Sequence, residues 1–323
     1  MTDSAFVVVR PGALTTVQDL GRFGHAHLGV PRSGALDQPA HRLANRLVGN
    51  AEGAATLETT LTGCAVRLRR TATVAVTGAP CPVTVDGRPA AWGAAVRVPA
   101  GALLEAGAAA HGVRSYVAFD GGVEAETVLG SRSTDVLSGL GPAPLAHDAV
   151  LRLGPPRGPV PGVDGVPHRG AARELVLPVV LGPRDDWFTT AGLRTLATGE
   201  FRVSAASNRI GLRTEGPALE RAKDGELASE GMALGALQVP PDGRPVLFLA
   251  DHPTTGGYPV VGVVPEPYLA AAAQAVPGTP VRFTPLGRVS WPLSARRDVP
   301  SDGTGGVAEG VAKNVAEGVA DRD

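Results

Sequence analysis

Pro245-Val-Leu-Phe-Leu-Ala-Asp-His-Pro-Thr-Thr-Gly-Gly-Tyr-Pro-Val-Val-Gly-Val-Val264 reads as strand, loop, strand. The two apolar runs, 245–250 and 260–264, are short, bulky and β-branched, which suits buried strands better than helices. Between them stand an acid, an imidazole, two hydroxyls, a Gly-Gly pair and a phenol. Glycines let backbone N–H groups approach a ligand closely, and neighbouring hydroxyls and free amides suit an anion or a small polar molecule.

The same punctuation continues outward in both directions. The chain has 323 residues, with 43 glycines and 29 prolines spread along it, a pattern of tight turns between short strands. Hydrophobic residues make up 43% and charged residues 19%, enough for a packed core without a metal or disulfide staple. Phe6-Val-Val-Val9, Val74-Ala-Val76, Val83-Thr-Val85, Val96-Arg-Val98 and Tyr116-Val-Ala-Phe119 are further strands, and Val66 and Leu68 alternate with arginines. Asp86-Gly87 is placed to form a hairpin tip. The fold class expected is mainly β with a few short helices. The best helix starts at the N-cap Asp37 with Pro39 in its first turn, runs through Ala40, Leu43, Ala44 and Leu47, and ends at Gly49-Asn50. Shorter helices are expected near Asp185-Asp-Trp-Phe-Thr189 and over 266–274, and the Pro/Gly-rich stretch 154–170 reads as a linker. The expected organisation is a first domain over 1–155, a second over 171–292 and a disordered tail over 293–323.

Several function classes are excluded by what is missing. A net charge of -1 gives no electrostatic footprint for nucleic acid or an anionic membrane. No apolar run approaches bilayer length and no secretory leader is visible, so a cytoplasmic location is expected. Cys64 and Cys81 read as two buried thiols rather than a disulfide. A P-loop, a Gly-x-Gly-x-x-Gly turn, His-Glu-x-x-His and paired Cys-x-x-Cys are all missing, and His25 with His27 lacks a third ligand, so no metal site is indicated. No lysine stands in a biotin-acceptor context.

What remains is a set of polar clusters. One holds Gln18, Asp19 and Arg22 with Ser33 and Asp37. A second holds Asn45, Asn50 and Glu58-Thr-Thr60. A third is Gly130-Ser-Arg-Ser-Thr-Asp135, with Ser131, Arg132, Ser133 and Thr134. A fourth gathers Ser207, Asn208, Arg209 and Arg213 with Glu230 and Gln238. Arginine offers a planar fork of donors suited to carboxylate or phosphate. Taken singly, each cluster also reads as turn and cap chemistry.

Val17-Gln-Asp-Leu-Gly-Arg22, Gly29-Val-Pro-Arg-Ser-Gly-Ala-Leu-Asp37, Ala44-Asn-Arg-Leu-Val-Gly-Asn50, Leu57-Glu-Thr-Thr60, Gly130-Ser-Arg-Ser-Thr-Asp135, Ser207-Asn-Arg-Ile-Gly-Leu-Arg213, Ala228-Ser-Glu-Gly231, Leu237-Gln-Val-Pro-Pro241 and Thr254-Thr-Gly-Gly-Tyr-Pro259 occur in this order. Together they resemble the KipA/PxpC family, also called allophanate hydrolase subunit 2 or the biotin-dependent carboxyltransferase A/B domain. The likeness covers about residues 7–290, with Thr214 and His147 as small departures. It implies two cyclophilin-like β-barrel domains and a heteromeric complex with a KipI/PxpB-type subunit, acting with a PxpA-type subunit. It also implies a role in ATP-dependent 5-oxoprolinase, a hydrolase active only in complex that opens the cyclic amide of 5-oxoproline to glutamate. ATP with Mg²⁺ is the implied cofactor, and no biotin is carried on this chain. A carboxyltransferase-type subunit of a urea carboxylase, and a non-catalytic regulator that binds a KipI-type kinase inhibitor, are the alternatives.

On this reading Arg209 and Arg213 meet a phosphate or the substrate carboxylate, and Glu230 and Asp251 hold Mg²⁺ or orient a donor. Ser207, Asn208, Gln238, Thr254, Thr255, Gly256, Gly257 and Tyr258 line the substrate or phosphate site. Gln18, Asp19, Arg22, Ser33, Asp37, Ser131, Arg132, Ser133 and Thr134 form a second polar site or the partner face. These groups are expected to converge into one concave anion receptor.

Overall fold

The computed structural model describes residues 5–156, 158–162, 165–166, 172–225 and 227–286. The expected tail, 293–323, lies outside them. Residues 1–287 form one compact unit.

Alternation along the strands decides which way each faces. In Cys64–Leu68, Val66 and Leu68 are buried and Arg67 is exposed. Such strands build a seven-stranded and a five-stranded sheet in the first half of the chain. The two enclose a core of Phe6, Val17, Leu57, Leu68, Val76, Leu104 and Phe119, with the rings of Phe6 and Phe119 stacked at 5.0 Å. The hairpin Val83–Val85 with Arg88–Ala90 turns at Asp86 (φ 49°) and Gly87 (φ 73°). Two positive φ values in a two-residue loop make the turn whose twist matches the flanking strands.

Helix α1 (Gln38–Leu47) forms where its apolar spacing predicts. The Asp37 carboxylate accepts the Ala40 N–H at 3.1 Å, Pro39 sits in the first turn, and Gly49 (φ 75°) takes the left-handed conformation that ends it. Ala40, Ala44 and Leu47 pack on Ala75, Tyr116 and Ala118 of the five-stranded sheet. That cover explains why strand Arg114–Phe119 is buried along its whole length instead of alternating.

The second half closes. Seven strands between Leu175–Leu181 and Pro280–Leu286 form a barrel, sealed by the parallel pairing of its first and last strands. Leu177, Leu196, Phe201, Leu212, Leu237, Leu247, Val261 and Phe283 fill it, and Leu36 from the first half joins this core. Helix α2 (Thr190–Thr198) is capped by Thr189, one turn later than the acidic run 185–189 suggested, because Asp185–Trp187 forms only a 3-10 turn and Phe188 is extended. A 3-10 turn (Glu266–Tyr268) leads into α3 (Leu269–Ala273), whose Leu269, Ala272 and Ala273 also pack on the barrel core. Barrel closure is thus continuous only in the second half; the first wraps its core with two separate hydrogen-bonded sheets. The Pro/Gly-rich connection is pinned in part, with the Val166 N–H donating to Gly93 O at 3.0 Å. Both cysteines are free and buried, and burial pushes the Cys64 thiol up to about 12. No helix among the described residues is long and apolar enough to cross a membrane.

His41, on the buried face of α1, meets Thr56 Oγ1 at 2.9 Å and the Asn45 amide at 3.3 Å. Burial lowers its pKa from 6.5 to about 4, the nearby Asp19 and Glu58 only partly opposing this. Between these values the unfolded chain takes up a proton that the folded chain refuses. Stability is therefore full above pH 6.5 and falls as pH drops toward 4, by about 3 kcal/mol in all. Urea unfolding from pH 7 to 4 is expected to show this slope, and His41→Gln is expected to flatten it.

Candidate functional site

Arg209 is the centre of the largest polar assembly. It leaves the turn before strand Gly211–Glu215 and points inward, where it is 1% exposed. Its Nε donates to Asp251 Oδ2 at 2.8 Å and its Nη2 to Asp251 Oδ1 at 2.9 Å, a two-point pair. Nη2 also reaches Gly34 O at 2.8 Å, and Nη1 donates to Glu58 Oε1. Glu58 comes from strand Thr56–Thr60 of the first half, whereas Arg209 and Asp251 come from the barrel, so the network ties the two halves together. Burial opposes the charge on both partners. The mutual attraction overcomes it: Glu58, next to Arg209 and Arg114, is held below the usual carboxylate range, and Arg209 is pushed above its ordinary value by Asp251 and Glu58.

The assembly extends on both sides. Glu58 Oε2 accepts the Leu36 N–H at 3.0 Å and the Tyr116 hydroxyl at 2.7 Å. Burial beside Glu58 and Asp37 raises the Tyr116 phenol well above 10, so it stays a donor. Asp37, raised by burial, receives Gln274 Nε2 at 2.8 Å, and Gln274 Oε1 accepts the Val113 and Arg114 N–H groups. On the other side Ser33 Oγ donates to Asp251 Oδ1 at 2.7 Å and lies 3.0 Å from Thr134 O. Ser33 holds φ 55°, a conformation uncommon for a residue with a side chain and frequent at functional positions. Asp19 accepts the hydroxyls of Ser131 and Ser133 and the N–H groups of Arg132 and Gly21. Gln18 Nε2 donates to Thr134 O at 3.0 Å, and Arg22 Nη2 donates to Ser133 O.

The first and third clusters, Glu58 of the second, and Arg209 with Asp251 are therefore brought together. Neither Arg209 nor Asp251 presents a free polar atom, since each is spent on partners. A hollow of about 380 Å³ lies against this assembly, with Ser33, Leu36, Leu249 and Leu269 in its walls and Arg32, Arg42 and Glu266 around them. Arg114, Tyr116 and Gln274 were not singled out from the sequence. A charged residue heading a strand that ends in an apolar run, as in Arg114-Ser-Tyr-Val-Ala-Phe119, was the signal available.

The other residues face elsewhere. Arg213 registers with Val246, which registers with Gln238. The next row, Leu212, Leu247 and Leu237, fills the barrel, so by alternation the Arg213 row lines its outside. The Arg213 guanidinium is exposed and without an ion pair among the described residues. It lines a second hollow of about 420 Å³ with Ser204, Glu215, Asp242 and Arg244. Ser207 and Asn208 shape the preceding turn: Ser207 Oγ accepts the Arg213 N–H at 3.0 Å and Asn208 Oδ1 the Ile210 N–H at 2.8 Å. Gln238 Nε2 donates to Tyr258 O at 3.2 Å. Glu230 pairs with Gly256, and Gly231 with Thr255, in a small ladder. Arg184 grips the Glu230 carboxylate through two nitrogens and holds it below the usual range.

The glycine faces of this loop are packed on protein. A Cβ at Gly256 would lie 2.8 Å from Gln238 Nε2, and one at Gly257 would lie 3.1 Å from Leu227 O. The glycines thus permit close packing of the loop against Gln238 and Leu227. Among the described residues no group of three or more His, Cys, Asp or Glu is placed to hold a metal. The expected single receptor is divided in two, a buried assembly around Arg209 and a surface row around Arg213.

Such an arrangement defines a two-part β protein whose halves are locked by buried charge and whose polar loops gather beside the lock. The chain belongs to the carboxyltransferase domain family, subdomain A and B, whose model matches residues 28–285. It is 36% identical over 295 residues to the 5-oxoprolinase C subunit of Escherichia coli, covering 90% of this chain and 94% of that protein. It is 33% identical over 312 residues to urea amidolyase of Lachancea kluyveri, covering 87% of this chain but 17% of that protein. The crystal structure of the K. lactis urea amidolyase superposes with a TM-score of 0.81 at 30% identity, over 89% of this chain and 19% of that one. The crystal structure of TTHA0988 superposes at 0.79 and 38% identity, over 87% of this chain and 56% of that one.

Removing one member of a buried pair leaves the other charge uncompensated. Arg209→Ala is therefore expected to cost about 3–5 kcal/mol in urea unfolding. Arg213→Ala, on the surface row, is expected to change stability by no more than about 0.5 kcal/mol.

Proposed function

We propose that this chain is a subunit of an ATP-dependent 5-oxoprolinase, working with a KipI/PxpB-type partner and a PxpA-type subunit to open the 5-oxoproline lactam to glutamate. The observation that supports this reading is the 36% identity to the E. coli 5-oxoprolinase C subunit, which extends over nearly all of that protein. The chain accounts for 94% of the E. coli 5-oxoprolinase C subunit, but for 17% of the L. kluyveri urea amidolyase, where the corresponding region is one part of a far longer protein.

The hollow beside Ser33 is the proposed substrate site. Its apolar walls suit a small ring, and the Ser33 hydroxyl, oriented by Asp251, suits a polar group on that ring. Arg209 and Asp251 act through position: they hold Ser33 and Gly34 in place without spending a proton. Arg213 on the outer row is the proposed contact for an anion brought by another subunit. A lactam is a poor electrophile, and ATP supplies its activation by turning the carbonyl oxygen into part of a leaving group. With the glycine faces of loop 254–258 packed against Gln238 and Leu227, ATP and Mg²⁺ are assigned to the assembled complex and no step is derived through them on this chain.

The second reading, a urea-type carboxyltransferase subunit, is favoured by the 30% identity and 0.81 TM-score to the K. lactis enzyme. One experiment separates the two. The chain is purified with its KipI/PxpB-type and PxpA-type subunits, and glutamate release from 5-oxoproline is followed with and without ATP. ATP-dependent glutamate is expected, and Ser33→Ala is expected to lower the rate at least ten-fold. A folded complex that yields none, yet carboxylates urea when a biotin carboxylase and a biotin carrier are supplied with ATP and bicarbonate, rejects the first reading in favour of the second.

A further inference from the structure

Among the described residues, three arginine side chains are buried: Arg22, Arg114 and Arg209. Two have acidic partners, Arg209 with Glu58 and Asp251, and Arg114 with Glu58 at 3.6 Å. Arg22 is 2% exposed and forms no ion pair among the described residues. Its Nε donates to Val128 O at 3.3 Å and its Nη2 to Ser133 O, while Nη1 is buried with no hydrogen-bond partner.

Two more buried polar atoms without partners stand on or against the segment that carries Ser133. They are Gln18 Oε1, whose amide nitrogen holds Thr134 O, and Thr134 Oγ1. Arg22 and Gln18 thus grip consecutive carbonyls, 133 and 134, and Ser33 Oγ lies 3.0 Å from the second of these. A buried guanidinium compensated only by carbonyl dipoles is costly, and its neighbours are committed elsewhere. Asp19 is engaged by Ser131, Ser133 and Arg132, Asp251 by Arg209, and Asp135 by Ser138 and the Leu137 N–H. Desolvation accordingly pulls the Arg22 pKa down, with Asp135, Asp19 and Asp251 opposing it only through space.

We infer that Arg22, with the Thr134 hydroxyl, is the receptor for the carboxylate of the substrate, and that Gln18 Oε1 accepts the adjoining ring N–H. This rests on the reading of the substrate as 5-oxoproline. In that molecule the carboxylate is borne by the ring carbon next to the nitrogen, so donors and an acceptor gathered on the consecutive residues 133 and 134 match it. Arg209, the arginine in the more obvious motif, is already neutralised and has nothing left to offer an anion.

The test uses the reconstituted complex and, in parallel, the full chain alone. In the complex, Arg22→Gln is expected to raise the KM for 5-oxoproline at least ten-fold, with Arg22→Lys recovering most of the loss. Thr134→Val removes a hydroxyl that forms no hydrogen bond among the described residues, so it is expected to keep the wild-type melting temperature while raising KM; this arm stands even if Arg22→Gln does not fold. Arg88→Gln, at the exposed hairpin tip, is the control. For the chain alone, acetate is the probe, expected to raise the melting temperature of wild type and not of Arg22→Gln. If Arg22→Gln and Thr134→Val turn over 5-oxoproline with wild-type KM, the inference is overturned while the proposed function stands. If no 5-oxoproline is consumed but acetate stabilises the chain only when Arg22 is present, the receptor is upheld and the substrate reading fails.

Discussion

The contact between Arg209 and two carboxylates from opposite halves of the molecule is the constraint on which the rest depends. A guanidinium with three acceptors in the protein interior is stable only where all its partners are in place. Glu58 must therefore stand at the end of its strand, Asp251 at the head of its loop, and Gly34 between them. That requirement fixes the register of the first half against the barrel more narrowly than apolar packing does. Leu36 entering the barrel core and Gln274 returning to Asp37 and Arg114 are the same seam seen in apolar and polar terms.

A locked seam leaves little freedom for chemistry at its centre, and the polar groups available to a ligand lie at its edge. Ser33 is held in a left-handed conformation next to Gly34, with its hydroxyl tied to the network and its residue in the wall of a hollow. The turn at 131–135 is organised by Asp19, which gathers two hydroxyls and a backbone N–H from it. Strong structural acids and bases thus position weaker polar groups, which are the ones with unspent hydrogen-bonding capacity. On the barrel's outer face the division is similar, since Gln238 anchors the glycine loop and Arg213 forms no ion pair among the described residues.

Much of this architecture was legible residue by residue. The Asp37 cap, the Pro39 start and the Gly49 stop each act within one turn, so local chemistry suffices to place the helix. Asp86-Gly87 demanded two positive φ values and received them. The buried run Tyr116-Val-Ala-Phe119 was readable as a strand, but not that α1 covers its outer face. The glycines at 256 and 257 show the limit most clearly. Sequence identifies a site where no side chain is tolerated, yet a ligand and a packed neighbour require the same absence, and here the neighbours are Gln238 and Leu227. Arg209 and Arg213 stand one strand-turn apart in one motif, yet one points into the seam and the other to solvent.

By itself the sequence determined the elements: which runs are strands, where the turns fall, where α1 begins and ends, and which family the ordered motifs resemble. These follow from short-range rules of periodicity, capping and backbone freedom, which need no knowledge of the remainder of the chain. The tertiary structure alone decided which polar residues are spent and which are free. Charge compensation is a long-range matter: Arg209 finds its acids 151 and 42 residues away in the chain, and Arg22 finds none among the described residues. No local rule distinguishes the two arginines before the halves come together.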